Sequence, residues 1–306
     1  STTNAALFCG ANIDFVDIDK FTFNMCTNHL EQKLKKSKKI GTLPKIVVPV
    51  HFGGQSCDMR KIYNLSKQYG FKIVEDASHA IGGKYNSKLV GNCQFSNICV
   101  FSFHPVKIIT TGEGGAIMTN DLNMASKIRS LRSHGIKKNS LKKQFVKNEI
   151  WNYKQIYLGF NYRMTDIQAA LGISQLELID KFINKRNIIA NRYASAFKNL
   201  PIIPQQIKKD CQSSFHLYIF RIDKNKTKKS RNQLYKFLEK NNIQTNFHYI
   251  PIYRHPYYKA QRFNLKIFTE SEDYFKSAIT IPMHTRLTKI EQKYIIDKVQ
   301  IFFKND

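Results

Sequence analysis

Short, dense apolar runs alternate with longer stretches of helical spacing along the 306-residue chain. Lys45-Ile46-Val47-Val48-Pro49-Val50, Phe71-Lys72-Ile73-Val74 and Ile98 to Phe103 read as buried strands. Between the first two, Met59 to Gln68 has helical spacing, with Asp58 placed to cap it and Gly70 to end it. Strand, helix, strand at this separation is a βαβ unit and predicts a parallel sheet, hence the α/β class. Ile13 to Ile18 alternates like a strand, Ala116 to Thr119 reads as another, and Asn123 to Arg132 as a helix. Ala5 to Ala11 reads as a helix end closed by Gly10. A long helical pattern through Ile167, Ala170, Leu171, Ser174, Leu178 and Phe182 continues to about Phe197. Thr165-Asp166-Ile167-Gln168 opens it as a capping start, and Pro201 and Pro204 mark its end. Beyond lie strands at His216 to Ile222 and Ile243 to Phe247, and helices at Arg231 to Glu239, Glu272 to Ala278 and Lys289 to Phe302. This pattern predicts a large domain over 1–180 and a smaller α/β domain over 181–306.

Composition narrows the class. A hydrophobic fraction of 42% suits a globular protein, and no run reaches the roughly 18 apolar residues of a membrane span. The six cysteines show no CxxC pair and no metal spacing, and read as reduced thiols of a cytoplasmic protein. No metal site is expected. A formal charge of +27, from 49 basic and 22 acidic residues, is the outlier. Such a charge fits nucleic-acid binding or attraction of an anionic substrate. The lysines are spread out, however, and the denser runs Lys33–Lys39 and Lys137–Lys147 lack interleaved aromatics, which favours plain compositional drift toward lysine, so nucleic acid is not expected as a partner. Lys33–Lys39 reads as a solvated helix end, and 137–150 as an irregular basic loop.

Candidate chemistry gathers where strands end, the place ligands take in parallel sheets. Ile98 to Phe103 delivers Lys107 to a glycine-rich return, Gly112-Glu113-Gly114-Gly115. A partly dry pocket there would lower the lysine pKa and free its amine, the requirement for a Schiff base, while an exposed loop lysine in a lysine-rich chain fits Lys107 on its own equally well. The run Phe71 to Val74 ends in Asp76. A pyridoxal phosphate ring needs such a carboxylate at its pyridine nitrogen and a lysine at its aldehyde. Asp76 equally suits a helix N-cap, and spacing does not decide between the two. His51 follows another strand and reads as a structural loop histidine.

Val74-Glu75-Asp76-Ala77-Ser78-His79, Phe101 to Gly115, and Leu158-Gly159-Phe160-Asn161-Tyr162-Arg163-Met164-Thr165 resemble three motifs of the DegT/DnrJ/EryC1/StrS sugar aminotransferases. The likeness covers nearly the whole chain in order. It implies the aspartate-aminotransferase fold (pyridoxal-phosphate fold type I) and a homodimer with shared sites. It also implies pyridoxal 5'-phosphate joined to Lys107, with Asp76 at the pyridine nitrogen and His79 at the phenolic oxygen. Ser102, and Asn161 from the second subunit, would reach the phosphate, and Arg163, His248 and Tyr249 the substrate side. Lysine at 107, where dehydratases of the family carry histidine, implies transamination. The donor would be an amino acid, with glutamate expected, and the acceptor C4 of a nucleotide-linked 4-keto-6-deoxy sugar. Trp151 to Tyr193, and His248 to Pro251 through Tyr257-Tyr258, are most similar to the branch that serves pseudaminic acid synthesis. Set against the family, the chain is expected to lack a front portion carrying a phosphate-binding turn and a stacking aromatic. The alternative reading is therefore a catalytically weak or inactive fragment that only folds or dimerises.

Overall fold

The computed structural model describes residues 1–138, 153–260 and 263–304. Helix α1 (Thr2–Phe8) ends as its glycine predicts. Gly10 sits at φ 70°, Gly10 N donates to Leu7 O at 2.8 Å and Ala11 N to Ala6 O at 3.0 Å, a Schellman closure. Helix α2 (Thr27–Lys39) buries Leu30 and Leu34, and its last turn carries Lys36, Lys38 and Lys39, where cations suit the carbonyl end. Next come β1 (Ile46–Val47), α3 (Met59–Tyr69) and β2 (Lys72–Asp76). The Asp58 carboxylate accepts from Lys61 N at 3.2 Å, and Gly70, at φ 80°, ends α3. A small hairpin, β3 (Lys84–Tyr85) and β4 (Lys88–Leu89), precedes β5 (Ile98–Ser102) and β6 (Gly115–Met118).

The main sheet has the order β1-β2-β5-β6. Strands β1, β2 and β5 run parallel, with Asp76 opposite Val100, and β6 returns antiparallel. Ile62, Leu65, Phe71 and Ile73 pack α3 onto the sheet, and Ile73 is 1% exposed. Burying side chains of this size contributes about 1.5–3 kcal/mol each.

The rest of the chain adds α4 (Leu122–Leu131), the paired strands β7 (Ile136–Lys138) and β8 (Tyr153–Gln155), α5 (Asp166–Leu176) and α6 (Ile179–Ala196). Then follow β9 (Ile202–Pro204), β10 (Cys211–Gln212), β11 (Tyr218–Ile222), α7 (Arg231–Lys240), α8 (Pro256–Lys259), α9 (Thr269–Ser277), β12 (Ala278–Ile281) and α10 (Lys289–Lys304). A second sheet, β12-β11-β9, lies in a core formed by Tyr193, Phe220, Leu234, Leu238, Ile279 and Val299. Asp17, 3% exposed, ties the front of the chain to α9. Its carboxylate accepts from Glu270 N and Ser271 N at 2.9 Å and from Ser271 Oγ at 2.5 Å, capping that helix from outside it.

Three expectations are corrected. The stretch Ile13 to Ile18 is extended but makes a single bridge, Ile18 to Met25. Side chains use its backbone instead: Lys33 Nζ donates to Phe15 O at 2.7 Å, and Asp14 and Asp17 accept from the amides that follow them, which competes with a ladder. The single helix from Thr165 to Phe197 is two. Leu178, at φ −96° and ψ 3°, re-aims the chain, so α6 buries Ile183, Ile189 and Tyr193 while α5 buries nothing. The capping box at Thr165 and Gln168 is present. In the stretch Ile243 to Phe247 only Asn246 pairs, with Thr280, because the Asn246 side chain takes Phe247 N at 2.7 Å. Most of the basic loop 137–150, and Trp151, lie outside the described residues.

Candidate active site

Asp76 ends a strand flanked on both sides. Its own N–H donates to Pro49 O at 2.9 Å, its carbonyl accepts from His51 N at 3.0 Å, and Ala77 N donates to Val100 O at 2.9 Å. The carboxylate is thereby fixed at the carboxyl edge of the parallel strands. Oδ2 accepts from Thr2 Oγ1 at 2.5 Å and Oδ1 from Ser78 N at 3.1 Å. Burial works to raise its pKa, but hydrogen bonds from Thr2 and Ser78 outweigh burial and hold it below the ordinary carboxylate value. Behind it, His51 is fully buried, and its Nε2 lies 2.7 Å from Glu75 Oε2. Cys57 N donates to His51 Nδ1 at 3.2 Å, so the ring proton sits on Nε2, toward Glu75. Ser96 Oγ donates to the other oxygen of Glu75. This pair is the structural role the sequence suggested for His51.

Lys107 is carried by the turn that links β5 to β6. Phe103 N donates to Gly114 O at 2.8 Å, Thr111 N to Phe103 O at 3.0 Å, and Lys107 N to His104 O at 2.9 Å. Gly112 sits at φ 78°, a left-handed position that glycine takes without strain. Ile108 and Ile109 anchor the turn against Ile183 of α6. Lys107 itself is half-buried. Among the described residues its ammonium has no hydrogen-bond or ion-pair partner. Burial lowers its pKa, against the opposing pull of the Asp76 carboxylate.

Three histidines complete the cluster. The His79 and His216 rings lie 4.4 Å apart between centroids; each residue is 7% exposed, and neither Nδ1 has a partner. Burial, with Lys107 and His248 nearby, pushes His79 down to about 3, while Asp76 opposes. Burial also holds His216 well below its ordinary value, helped by His79, Lys107, Arg186 and His248. His248 Nδ1 lies 2.9 Å from Thr280 Oγ1, and burial, then Lys107, lowers this histidine to about 4. Next to it, Tyr249 sets its ring 6.4 Å from His79 and 6.2 Å from Phe52. The result is a pocket with one amine, one carboxylate and three uncharged imidazoles.

Of the residues singled out from sequence, Lys107, Asp76, His79, His248 and Tyr249 come together. Ser102 stands at the end of β5, where the turn to Lys107 begins, and its Oγ accepts from His104 N at 3.4 Å. Asn161 and Arg163 are exposed and make no contact with the cluster. Their segment is held instead along α4, through Phe160 N to Leu131 O at 2.8 Å and Tyr162 N to Arg132 O at 2.9 Å. Sequence reading missed His216 and Thr2. His216 carried one available signal: a histidine opening an apolar strand. No group of histidine, cysteine, aspartate or glutamate among the described residues could hold a metal, and no described helix is long and apolar enough to cross a membrane.

Residues 1–300 match the DegT/DnrJ/EryC1/StrS aminotransferase family. The chain is 34% identical to the spore coat polysaccharide biosynthesis protein SpsC of Bacillus subtilis, across 99% of this chain and 77% of that protein. It is 37% identical to the UDP-4-amino-4,6-dideoxy-N-acetyl-beta-L-altrosamine transaminase of Campylobacter jejuni, across 97% of this chain and 75% of that protein. Among solved structures it superposes on Helicobacter pylori PseC, an aminotransferase involved in the biosynthesis of pseudoaminic acid. The TM-score is 0.86 at 30% identity, covering 100% of this chain and 77% of that one. A putative sugar aminotransferase from Streptococcus pneumoniae in its PLP form gives a TM-score of 0.85 at 28% identity, covering 99% of this chain and 78% of that one.

Proposed function

The chain belongs to the DegT/DnrJ/EryC1/StrS aminotransferase family, a family of pyridoxal-phosphate-dependent sugar aminotransferases, and from that premise we propose that it aminates C4 of a nucleotide-linked 4-keto-6-deoxy sugar. One observation carries the reading: a half-buried lysine, without a partner among the described residues, clusters with a hydrogen-bonded carboxylate and with two imidazoles whose buried Nδ1 atoms are unpartnered. Those groups suit pyridoxal 5'-phosphate. Lys107 would hold it covalently. The Asp76 carboxylate would face its pyridine nitrogen, and His79 Nδ1 would meet its phenolic oxygen. Ser102 would serve the phosphate. When bound, the cofactor withdraws electrons from the substrate carbon beside the transferred amine. Lys107, its pKa lowered by burial, would be placed to carry a proton to and from that carbon. The uncharged histidines leave the site free of a competing strong acid. The relatives named for UDP-sugar transamination and pseudoaminic acid biosynthesis support the sugar class, with Arg163, His248 and Tyr249 on the substrate side and glutamate as donor.

A homodimer belongs to the same reading. Helix α5 has no buried residue, and Ile167, Ile173 and Leu176 are 85%, 62% and 52% exposed. Beside them Leu158 is 90% and Tyr162 71% exposed. Many large apolar side chains exposed on one helix and the segment leading into it favour an interface. A second copy seated there would bring Asn161, which is exposed and bridged only through its backbone to Ser133 among the described residues, toward the other site. The division at 1–180 and 181–306 is supported by the separate cores around Ile73 and Phe220. Six free thiols and a nucleotide-linked substrate favour the cytoplasm.

The test is transfer itself. The protein, with added cofactor, is incubated with UDP-linked 4-keto-6-deoxy sugars and glutamate, and the products are read by mass spectrometry. The reading predicts a 4-amino sugar together with 2-oxoglutarate. Cofactor binding without amination of any 4-keto nucleotide sugar would remove the substrate assignment. Formation of the amino sugar with other donors but not glutamate would remove the donor.

A further inference from the structure

We propose that His216 is a positioning residue for His79, fixing the His79 imidazole in one orientation by ring-on-ring packing from a loop built to deliver it. This rests on the assignment of His79 to the cofactor's phenolic oxygen. The loop runs from Ser213 to Leu217 and is pinned at both sides. Ser214 Oγ donates to the carbonyl of His79 itself at 2.8 Å, and Ser214 N to Gly54 O at 3.0 Å, while Leu217 N donates to Gly53 O at 3.3 Å. From α6, Arg186 Nη1 donates to Phe215 O at 3.0 Å, Met283 O at 3.1 Å and His216 O at 3.3 Å. Gly54 makes the approach possible. A Cβ there would come within 2.6 Å of Ser214 Oγ and 2.7 Å of Phe215 N. His216 is thus held through its backbone, and its ring is left to pack on His79.

The arrangement has a chemical purpose. A histidine whose Nδ1 must meet one ligand oxygen needs its ring plane set in advance, because a free ring loses the rotation on binding. His79 has aromatic neighbours in Phe52, at 5.9 Å, and Tyr249, at 6.4 Å, but its nearest ring is that of His216. His216 also helps keep water out. The charged and titratable groups around the pair are Lys107, Asp76, His248 and Arg186. With Lys107 and Arg186 the basic groups among them and His248 uncharged, a dry wall behind His79 keeps it a neutral hydrogen-bonding group.

The test compares His216→Ala, which removes the ring, with His216→Phe, which keeps the packing and removes the nitrogens. Histidine 13Cε1 spectra are recorded on the cofactor-free protein across pH, with the His79 signal assigned by His79→Gln. In wild type, His79 should give one sharp signal that does not titrate above about pH 5. In His216→Ala the signal should broaden or move, and its midpoint should rise by about a unit or more as water enters. Pyridoxal phosphate affinity should then fall about tenfold. His216→Phe should restore the His79 signal and keep affinity within about threefold of wild type. Unchanged His79 behaviour in His216→Ala would overturn the proposal. If the alanine variant does not fold, a folded His216→Phe in which His79 titrates as in water would overturn it equally. Because the spectra need no cofactor, they stand apart from the reading beneath. A wild-type protein that takes up no pyridoxal phosphate would defeat that reading while the His79 result remained.

Discussion

The uncharged histidine pair makes the fold sensitive to acid in a calculable way. An unfolded histidine takes up a proton near pH 6.5. The folded chain refuses it at His79, whose pKa is pushed down to about 3, and at His216, held well below its ordinary value. A depressed folded pKa means stability present above the unfolded pKa, lost as pH falls toward the folded one. The window therefore runs from about pH 6.5 down to about 3. At pH 5 His79 costs about 2 kcal/mol, some 1.5 pH units below the unfolded value at 1.36 kcal/mol per unit, a sizeable share of the roughly 5–15 kcal/mol of a folded domain, and His216 adds a cost of the same sign. His248 adds less, being more exposed to solvent. Urea unfolding followed by far-ultraviolet circular dichroism at pH 7 and pH 5 measures the loss. Comparison with His216→Phe isolates one member, since other titrating groups cancel. The variant should lose less stability than wild type between the two pH values. Equal losses in the two proteins would refute the argument that His216 is held uncharged.

Other outcomes follow from the packing. Asp17→Ala removes the acceptor for two backbone amides and the Ser271 hydroxyl at the start of α9, and should cost about 2–4 kcal/mol in denaturant unfolding. Gly54→Ala forces a Cβ against Ser214 and Phe215 at φ 110°. It should cost about 1–3 kcal/mol and weaken cofactor binding through the displaced loop, measured by thermal melts and by titration with pyridoxal phosphate. Ile167→Glu on the exposed face of α5 should shift the particle from dimer to monomer in light scattering; an unchanged mass would move the interface elsewhere.

What could be read from sequence depended on how local its cause was. Strand β2 ending in Asp76 was legible because an apolar run and a following acid are neighbours in the chain. The same holds for the α3 caps at Asp58 and Gly70 and for the capping box at Thr165. The turn bearing Lys107 was legible from its glycines. His216 was not. Its importance comes from a ring on a different part of the chain, and no periodicity in the loop that carries it or in the strand that follows marks that contact. Thr2 was hidden in the same way, since its hydroxyl matters only once α1 lies over the end of β2. The break at Leu178 was invisible because apolar spacing continues through it; only the difference between an exposed α5 and a buried α6 shows why the chain turns. Ile13 to Ile18 has a strand's alternation, but alternation specifies a face and not a partner.

The central claim is that Lys107 is the cofactor-bearing amine, made available by burial and faced by Asp76. Its most direct measurement is reduction of the protein with borohydride after loading with pyridoxal phosphate, followed by peptide mass spectrometry. The account predicts a phosphopyridoxyl group on Lys107, among the many lysines of this basic chain, and loss of the near-visible band in Lys107→Ala. Label spread over surface lysines with Lys107 unmodified, or an undiminished band in Lys107→Ala, would contradict it.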